Sequence, residues 1–186
     1  MGQQKVKGSV LKSRLGFVER QFGAEGLAKV MESLGPDDQK VLHRIVPVAW
    51  LDFEIGQRLD DAIVRVLGGG RPEVFERLGE ASAETNLKTV HAAFVAAGDP
   101  HGFLAKAPQI YRMYYQTGSR EYERTGEREG VLTTRDAETF SKTDCLTVIG
   151  WYKKALELCG AKNPRIVEDR CRARGDEVCR YRVSWQ

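Results

Sequence analysis

The sequence predicts an α+β domain in which N-terminal helices pack on a C-terminal antiparallel sheet. Helical apolar periodicity runs almost without a break through the first 117 residues, whereas β-like alternation is confined to the segments after residue 118. The second half then reads strand, strand, helix, strand, strand. Helical and strand blocks that are separated in this way are typical of α+β folds. With 186 residues and no linker-like segment, the chain is predicted to form a single domain, residues 1–186.

The predicted helices of the first half share an apolar stripe and are separated by glycine or proline. Residues 7–11 precede them as a short strand or as the lead-in to the first helix. The predicted helices cover, in order, residues 15–22, 27–34, 36–45, 52–67, 72–94 and 101–117. The last of them is interrupted by Pro108 and holds the densest aromatic patch of the chain. His91 lies on the apolar face of the helix before it, and a core histidine with its hydrogen bonds satisfied is expected there.

Four strands and one helix are predicted in the second half. Residues 119–125 and 130–134 form a hairpin around a Gly-Glu-Arg-Glu-Gly turn. Ser141 caps a helix with Asp144 three residues further on, and Gly160 ends that helix. A second hairpin joins residues 165–172 to residues 178–185, and alternate residues of its last strand are apolar and cationic.

Three cysteines are predicted to meet between this helix and the second hairpin. Cys145 lies at the start of the helix, on its buried stripe. Cys171 and Cys179 are directly opposed across the hairpin if Gly175 is at the middle of the turn. Zinc prefers thiolate ligands in a tetrahedral shell, and structural zinc sites join distant segments. The alternative is a group of buried, reduced cysteines without a metal.

A four-coordinate zinc requires one more ligand, and Glu168 is the nearest acidic candidate besides Asp169. A regular strand places Glu168 and Cys171 on opposite faces, so Glu168 can be a ligand only if the strand bends or bulges. The fourth cysteine, Cys159, follows Cys145 by 14 residues, which is about 21 Å along a helix. It is therefore predicted to take no part in the metal site.

The same residues resemble a known family. Cys145, Glu168 and the run from Cys171 through Gly175 and Asp176 to Cys179 look like the C-terminal signature of 4-vinyl reductase domains. In the aromatic-effector sensors of that family, a Cys, a Glu and two Cys at this spacing hold a zinc ion beside the effector pocket. The resemblance therefore implies a structural Zn²⁺ with these four residues as its ligands. The whole chain also looks like a paralogous family of short bacterial proteins.

The resemblance further implies the fold shared by haem nitric-oxide sensors and transport-particle subunits, which is commonly dimeric. It points to a stand-alone zinc-containing sensor or signalling domain that binds a small apolar or aromatic molecule. The predicted ligand pocket lies between the aromatic helix and the core face of the sheet, near the zinc hairpin. Its predicted lining residues are Phe103, Tyr111, Tyr115 and Trp151. The alternatives are a protein-protein adaptor with structural zinc and no small ligand, and a vinyl reductase or accessory factor of tetrapyrrole synthesis.

Catalytic motifs are scarce, and the protein is predicted not to be an enzyme. No histidine has the sequence context of a haem axial ligand. The net charge of +3 does not indicate direct nucleic-acid binding, and no apolar run is long enough to span a membrane. The N-terminus lacks a secretory leader, which predicts a cytoplasmic protein. The helix after Asp144 is apolar on more than one face, which predicts either complete burial or a homodimer.

Overall fold

The computed structural model describes residues 4–186 and confirms the α+β class, with seven α-helices and two antiparallel sheets in this part of the chain. The helices are α1 (Gly8–Glu32), α2 (Pro36–His43), α3 (Phe53–Val66), α4 (Val74–Leu87), α5 (Pro100–Leu104), α6 (Ala107–Tyr114) and α7 (Lys142–Leu158). The strands are β1 (Lys5–Lys7), β2 (Trp50–Asp52), β3 (Ser119–Arg124), β4 (Glu129–Arg135), β5 (Arg165–Arg170) and β6 (Cys179–Ser184).

The main sheet has the strand order β3-β4-β6-β5, and every neighbouring pair is antiparallel. β6 therefore lies inside the sheet and carries its buried face, with Tyr181 and Val183 almost completely covered. The order of strand, strand, helix, strand, strand is as predicted. A second sheet of two short strands, β1 and β2, was not predicted, because three residues are too few to show alternation.

Helices α4 and α7 cross at unusually close range through two glycines. A Cβ atom at Gly150 would overlap the carbonyl oxygen of Glu76, and one at Gly79 would overlap the carbonyl oxygen of Thr147. Backbone therefore touches backbone on both sides of the crossing, as only glycine allows. The additional apolar side chains of α7, such as Leu146 and Trp151, pack against the two hydrophobic cores of the same chain.

The hydrophobic core has two parts on either side of this helix pair. One lies among α1, α2, α3 and the start of α4, and includes Phe75 and Leu59, both fully buried. The other lies between α7 and the main sheet, and includes Phe103, Tyr152 and Tyr181. The cysteines all belong to this second core.

The break predicted between residues 22 and 27 is present as a kink inside α1 at Gly23, whose φ of 70° and ψ of 179° are not helical, although the first helical segment begins at Gly8 rather than at residue 15. The predicted end of a later helix was wrong. The helix predicted over 72–94 ends at Leu87. Beyond it, the Thr89 hydroxyl donates to the carbonyl oxygen of Thr85, a local bond of the kind that competes with helix geometry.

The shortened helix also changes the surroundings of His91. This residue is half-buried rather than in the core, and its Nε2 lies 2.6 Å from the hydroxyl of Tyr114. The predicted hydrogen bond of His91 is thus present, although its predicted burial is not.

Among residues 4–186, no helix combines the length and apolar character that a membrane crossing requires. The prediction that the chain lacks a secretory leader depends partly on residues 1–3, which lie outside the described residues.

Candidate metal centre and helix cavity

The N-terminus of α7 fixes the first of the clustered thiols. Ser141 is the N-cap residue, and its hydroxyl accepts a hydrogen bond of 3.1 Å from the backbone N–H of Asp144. This cap holds the first turn of the helix in place. Cys145 then projects from that turn into the second core, where it is 4% exposed.

A β-bulge in β5 positions the other candidate ligands. Glu168 is paired with Tyr181, but Arg170 is paired with Arg180, so Asp169 is an extra residue without a partner of its own in β6. If this shifted register is continued, Cys171 lies opposite Cys179, as predicted. The extra residue also reverses the alternation of the strand. Glu168 and Cys171 can thereby face the same side of the sheet, which a regular strand forbids.

The side chain of Asp169 secures the bulge on the outer face of the sheet. Its two carboxylate oxygens accept hydrogen bonds of 2.8 and 2.9 Å from the guanidinium of Arg180, and one of 2.6 Å from Arg182. A bidentate arginine–carboxylate pair fixes orientation as well as distance. The cationic outer face predicted for β6 is therefore partly neutralised by the residue that forms the bulge.

The four predicted ligands come together in the folded chain. One ligand atom from each of Cys145, Glu168, Cys171 and Cys179 lies within 4.8 Å of the others. The Sγ atom of Cys145 is 3.6 Å from that of Cys171 and 3.8 Å from that of Cys179. Sulfurs that share a tetrahedral zinc with Zn–S bonds of about 2.3 Å lie about 3.8 Å apart. The cluster could therefore hold a metal ion.

Glu168 is oriented toward the thiols. Its Oε2 accepts a 3.3 Å hydrogen bond from Arg174, while its Oε1 is buried and has no hydrogen-bond partner within residues 4–186. Its side chain is only 10% exposed. A buried carboxylate oxygen without a partner is energetically costly, and a cation among the thiols would satisfy it.

The hydrogen bonds within the cluster determine where its first negative charge forms. A hydrogen bond from the Cys145 thiol lowers the pKa of Cys179 to about 7, and the backbone N–H of Arg172 also donates to that sulfur over 3.4 Å. The same bond to Cys179, together with burial, raises the pKa of Cys145. Burial raises the pKa of Cys171. One thiolate is thus favoured in the protein alone, and a bound cation would favour the others.

Cys159 lies apart from this cluster. It follows the end of α7, it is fully buried, and its backbone carbonyl oxygen accepts a hydrogen bond from the N–H of Gly98. Its Sγ is not among the group of candidate ligand atoms within residues 4–186. Its position at the opposite end of the helix is the one that the sequence predicts.

Replacing Asp169 by Ala is expected to weaken metal binding without removing any of the four candidate ligands. The bulge would lose its bonds to Arg180 and Arg182, and Glu168 would be held less firmly. Residues that orient metal ligands typically contribute about 10- to 100-fold in affinity. Competition with a zinc chelator measures the change, and Glu121→Ala, which removes another exposed arginine–carboxylate pair of the same sheet, to Arg135, is the matched control. Equal zinc affinity in the two variants would contradict the role assigned to the bulge.

A cavity of about 80 Å³ lies between α1, α4, α6 and α7. Three of the four residues that the sequence analysis placed in a ligand pocket, Tyr111, Tyr115 and Trp151, line this cavity. The fourth predicted residue, Phe103, does not, because its ring packs in the second core against Trp151 and Tyr152. The cavity also lies among helices rather than against the sheet. Arg120 at the start of β3 is its one lining residue from the sheet within the described chain.

A buried ionic network borders one side of the cavity. The guanidinium of Arg14 donates to both carboxylate oxygens of Asp60, at 2.5 and 3.1 Å, and lies 3.5 Å from Asp144. Tyr115 donates its hydroxyl to Asp144 at 2.8 Å, and Thr143 donates to Asp60 at 2.9 Å. Burial by itself would lower the pKa of Arg14, but the two carboxylates outweigh it and raise the pKa. The arginine therefore remains charged in the interior.

The sequence analysis did not identify this network, although the chain contains a signal for it. Arg14 follows Leu11 by three residues and precedes Val18 by four, so it occupies an apolar stripe of α1. Asp60 has a similar position in α3, between Leu59 and Ile63. A charge on a buried stripe requires a buried partner. What the sequence does not show is which segments provide that partner.

Solved structures with the same architecture are H-NOX proteins. The Fe(II) unliganded H-NOX protein from K. algicida matches with a TM-score of 0.72 and 11% sequence identity, over 97% of this chain and 96% of its own. An H-NOX protein from S. oneidensis in the Fe(II)NO ligation state matches with a TM-score of 0.71 and 14% identity, over 97% and 99% of the two chains. At such low identity these likenesses define the fold alone, and they confirm the predicted NO-signalling-like architecture.

The chain itself belongs to the DUF2378 family, described as "Protein of unknown function (DUF2378)", whose family model matches residues 4–186. No curated protein matches this chain. The fold is the confirmed part of the resemblance on which the predictions depended, whereas the resemblance to 4-vinyl reductase domains stays a prediction.

A haem group does not fit the cavity. Another structure of this fold, described as "Modulating Heme Redox Potential Through Protein-Induced Porphyrin Distortion", matches with a TM-score of 0.68 and 13% identity, over 96% of this chain and 99% of its own. Here the cavity of about 80 Å³ is far smaller than the roughly 300 Å³ at which sites for drug-sized ligands begin. No histidine, cysteine or methionine of residues 4–186 lines it.

The tyrosines of the cavity do not provide a haem ligand either, because their hydroxyls already make hydrogen bonds within the protein or are buried. Tyr111 donates to the carbonyl oxygen of Thr117, Tyr115 donates to Asp144, and Tyr114 is bonded to His91. The contact of α4 with α7 through Gly79 and Gly150 further restricts the space between these helices. Any ligand of this cavity has to be small.

Proposed function

We propose that this protein is a stand-alone sensor or signalling domain that contains one structural zinc ion and binds a small, largely apolar molecule in the helix cavity. The observation that carries the proposal is the convergence of three thiols and one buried carboxylate from two distant segments. The sulfur separations of 3.6 and 3.8 Å match those around a tetrahedral zinc. The same ligand set is the one implied by the resemblance to 4-vinyl reductase domains.

The zinc is structural in this proposal because the protein provides all four ligands. A catalytic zinc keeps one position open for water or substrate. With Cys145, Glu168, Cys171 and Cys179 in place, no position remains, so the metal supports no enzymatic activity. Its role is to join the start of α7 to the β5–β6 hairpin. Reduced cysteines that bind zinc also suit the cytoplasm, which is the location proposed here.

The cavity and the metal cluster are close enough for a ligand in one to affect the other. Asp144 lines the cavity, and the next residue, Cys145, is a proposed zinc ligand. The guanidinium of Arg120, on the cavity wall, lies 5.9 Å from the ring of Tyr181, which is buried beside the thiols. A ligand that displaces Asp144 or Arg120 would therefore act on the zinc-bound hairpin and on the outer face of β6.

Native mass spectrometry of protein purified without chelator tests the proposal directly. We expect one zinc per chain, together with the mass of any small molecule that is retained. A thermal-shift panel of small phenols, short fatty acids and neutral apolar molecules then tests ligand binding. A ligand at 100 times its dissociation constant stabilises the protein by about 2.7 kcal/mol. Chains with well under one zinc would refute the metal site, and a panel without any shift would refute the sensor role.

A protein-protein adaptor with structural zinc and no small ligand is the second candidate. Two exposed apolar side chains favour it: Val46 and Val48, in the loop between α2 and β2, are 54% and 74% exposed. Contiguous exposed apolar surface marks interaction sites, and these two valines are two positions apart in one loop. The adaptor predicts that no small molecule shifts the melting temperature, so the thermal-shift panel separates the two candidates.

We also propose that the protein is a homodimer, with the Val46–Val48 loop in its interface. The mass measured by light scattering at tens of micromolar is expected to be twice that of the 20.9 kDa chain. Val48→Ser is expected to shift the equilibrium toward monomer, because burial of a valine in an interface contributes about 1.5 kcal/mol or more. Val90→Ser, which changes another exposed valine outside this loop, is the control. A monomer mass for the unmodified protein would refute the dimer.

A further inference from the structure

We propose that the ligand of the helix cavity is a small carboxylate whose anionic group is bound by Arg120 and the hydroxyl of Tyr152. This inference rests on the proposed ligand-binding function and specifies the chemical class of the ligand. It depends on the one wall of the cavity where a buried cation has no carboxylate partner and a buried hydroxyl has no acceptor in the described chain.

Arg120 is a buried cation without a counter-ion. Its exposure is 7%, and no carboxylate of residues 4–186 is within ion-pair distance of it. Its Nε donates to the hydroxyl of Thr134 at 2.9 Å, and apart from the neighbouring hydroxyl of Tyr152 its two terminal nitrogens have no protein acceptor in the described chain. A buried charge that is not paired is strongly unfavourable. An anion in the adjoining cavity would supply the missing partner.

Three aromatic rings surround this guanidinium. The centres of the Tyr111, Tyr152 and Tyr181 rings lie 5.1, 5.6 and 5.9 Å from its central carbon. Cation–π contacts of this kind partly stabilise the charge and fix the position of the side chain. The rings do not take up the N–H groups of the two terminal nitrogens, so the arginine is held in place with donors available for an acceptor in the cavity.

The hydroxyl of Tyr152 is the second donor without a partner. It is buried and lies against the guanidinium of Arg120 on the cavity wall, but that group is itself a donor, so the O–H of Tyr152 has no acceptor within residues 4–186. Buried hydroxyls almost always have a partner, and a missing partner indicates a bound molecule or water. A carboxylate has acceptors enough for the guanidinium and the hydroxyl together.

The other charges around the cavity do not compete for this role. Arg14 is bonded to Asp60 and lies beside Asp144, and Tyr115 donates to Asp144 as well. These two carboxylates exceed the one arginine by a negative charge and receive hydroxyl donors, so that side of the cavity attracts no anion. Arg120 is the cation on the wall that has no carboxylate at ion-pair distance in the described chain.

The size and lining of the cavity select a short apolar tail on the carboxylate. A volume of about 80 Å³ accommodates roughly five to eight waters, and therefore a molecule with a similar number of heavy atoms. The remaining lining includes Val10, Leu78, Ile110 and Val148. Butyrate, with six heavy atoms, has a suitable size and polarity, whereas inorganic phosphate would leave the apolar walls without contacts.

Calorimetric titration of the zinc-loaded full chain with butyrate and with its neutral isostere butyramide tests the proposal. Butyramide, and butyrate with the Arg120→Met variant, are expected to bind about 10- to 100-fold more weakly than butyrate with the unmodified protein. Tyr152→Phe is expected to lower butyrate affinity about 3- to 10-fold. Arg112→Gln, a change at an exposed residue of α6 that does not line the cavity, is expected to leave butyrate affinity unchanged.

The thermal midpoint without ligand provides an independent readout. Arg120→Met removes a buried charge that lacks a partner, so its midpoint is expected to equal or exceed that of the unmodified protein. A purely structural role for Arg120 would lower it. If the variant does not fold, the comparison of butyrate with butyramide and the Tyr152→Phe result decide the question.

Several outcomes would overturn the inference. Equal affinities for butyrate and butyramide, undiminished butyrate binding by Arg120→Met, or tighter binding of phosphate than of butyrate would each do so. If neutral apolar molecules bind but carboxylates do not, the carboxylate assignment fails while the proposed sensor function stands. If no small molecule binds at all, both fail.

Discussion

Cys171→Ala is expected to abolish zinc binding and to destabilise the protein by more than about 4 kcal/mol, a size typical of the loss of a structural metal. Cys171 joins the hairpin to the cluster, with its Sγ 3.6 Å from that of Cys145. Three remaining ligands do not complete a tetrahedral zinc site, and the Oε1 atom of Glu168 would stay buried beside them without a partner.

Metal analysis and chemical denaturation measure the two effects together. Cys159→Ala is the matched control, because Cys159 is an equally buried cysteine at the far end of α7. It is expected to retain one zinc per chain and to lose only the free energy of a small core truncation, since its Sγ lies outside the cluster.

Chelation provides a second comparison. Chelator-treated wild-type protein should unfold like Cys171→Ala, and added zinc should restore the wild type but not the variant. A Cys171→Ala protein that still holds one zinc per chain would show that the metal, if present, is bound elsewhere.

Gly150→Ala is expected to destabilise the protein by about 3 kcal/mol or more, although alanine is the better helix former. The change gains about 1 kcal/mol of helix propensity. The new Cβ would, however, overlap the carbonyl oxygen of Glu76 in α4, which is backbone and cannot rotate away. Helices α4 and α7 would have to separate, and the two cores that contact them would be disturbed. The cost of this overpacking outweighs the gain in propensity.

Gly16→Ala is the matched control for this substitution. Gly16 is also inside a helix, but its nearest neighbour would be the flexible end of the Arg20 side chain, 3.1 Å away, which can move. This variant is expected to be neutral or more stable by up to about 1 kcal/mol. Denaturant unfolding of both variants provides the comparison. If Gly150→Ala is as stable as Gly16→Ala, the close crossing of α4 and α7 is not a feature of the folded protein.

Local patterns in the sequence determined the order of the elements and the approximate metal site. The Ser141 cap, the apolar stripe that carries Cys145 and the turn at Gly175 depend on neighbours within a few residues, so a single chain reveals them. Spacing alone left two interpretations of the cysteines open, and the resemblance to a zinc-binding family favoured one of them. The structure adds the distances between the four side chains, which neither the cysteine spacing nor the family resemblance provides.

Tertiary structure decided the features that depend on distant segments. The bulge at Asp169 is set by pairing with β6, and without it Glu168 would face away from the thiols. The pairing of Arg14 with Asp60 joins residues 46 positions apart. The cavity is located where four helices meet. Arg120 therefore lines it, and the predicted lining residue Phe103 does not. Periodicity reports which face of an element is buried, but only the packing of the whole chain determines what that face meets.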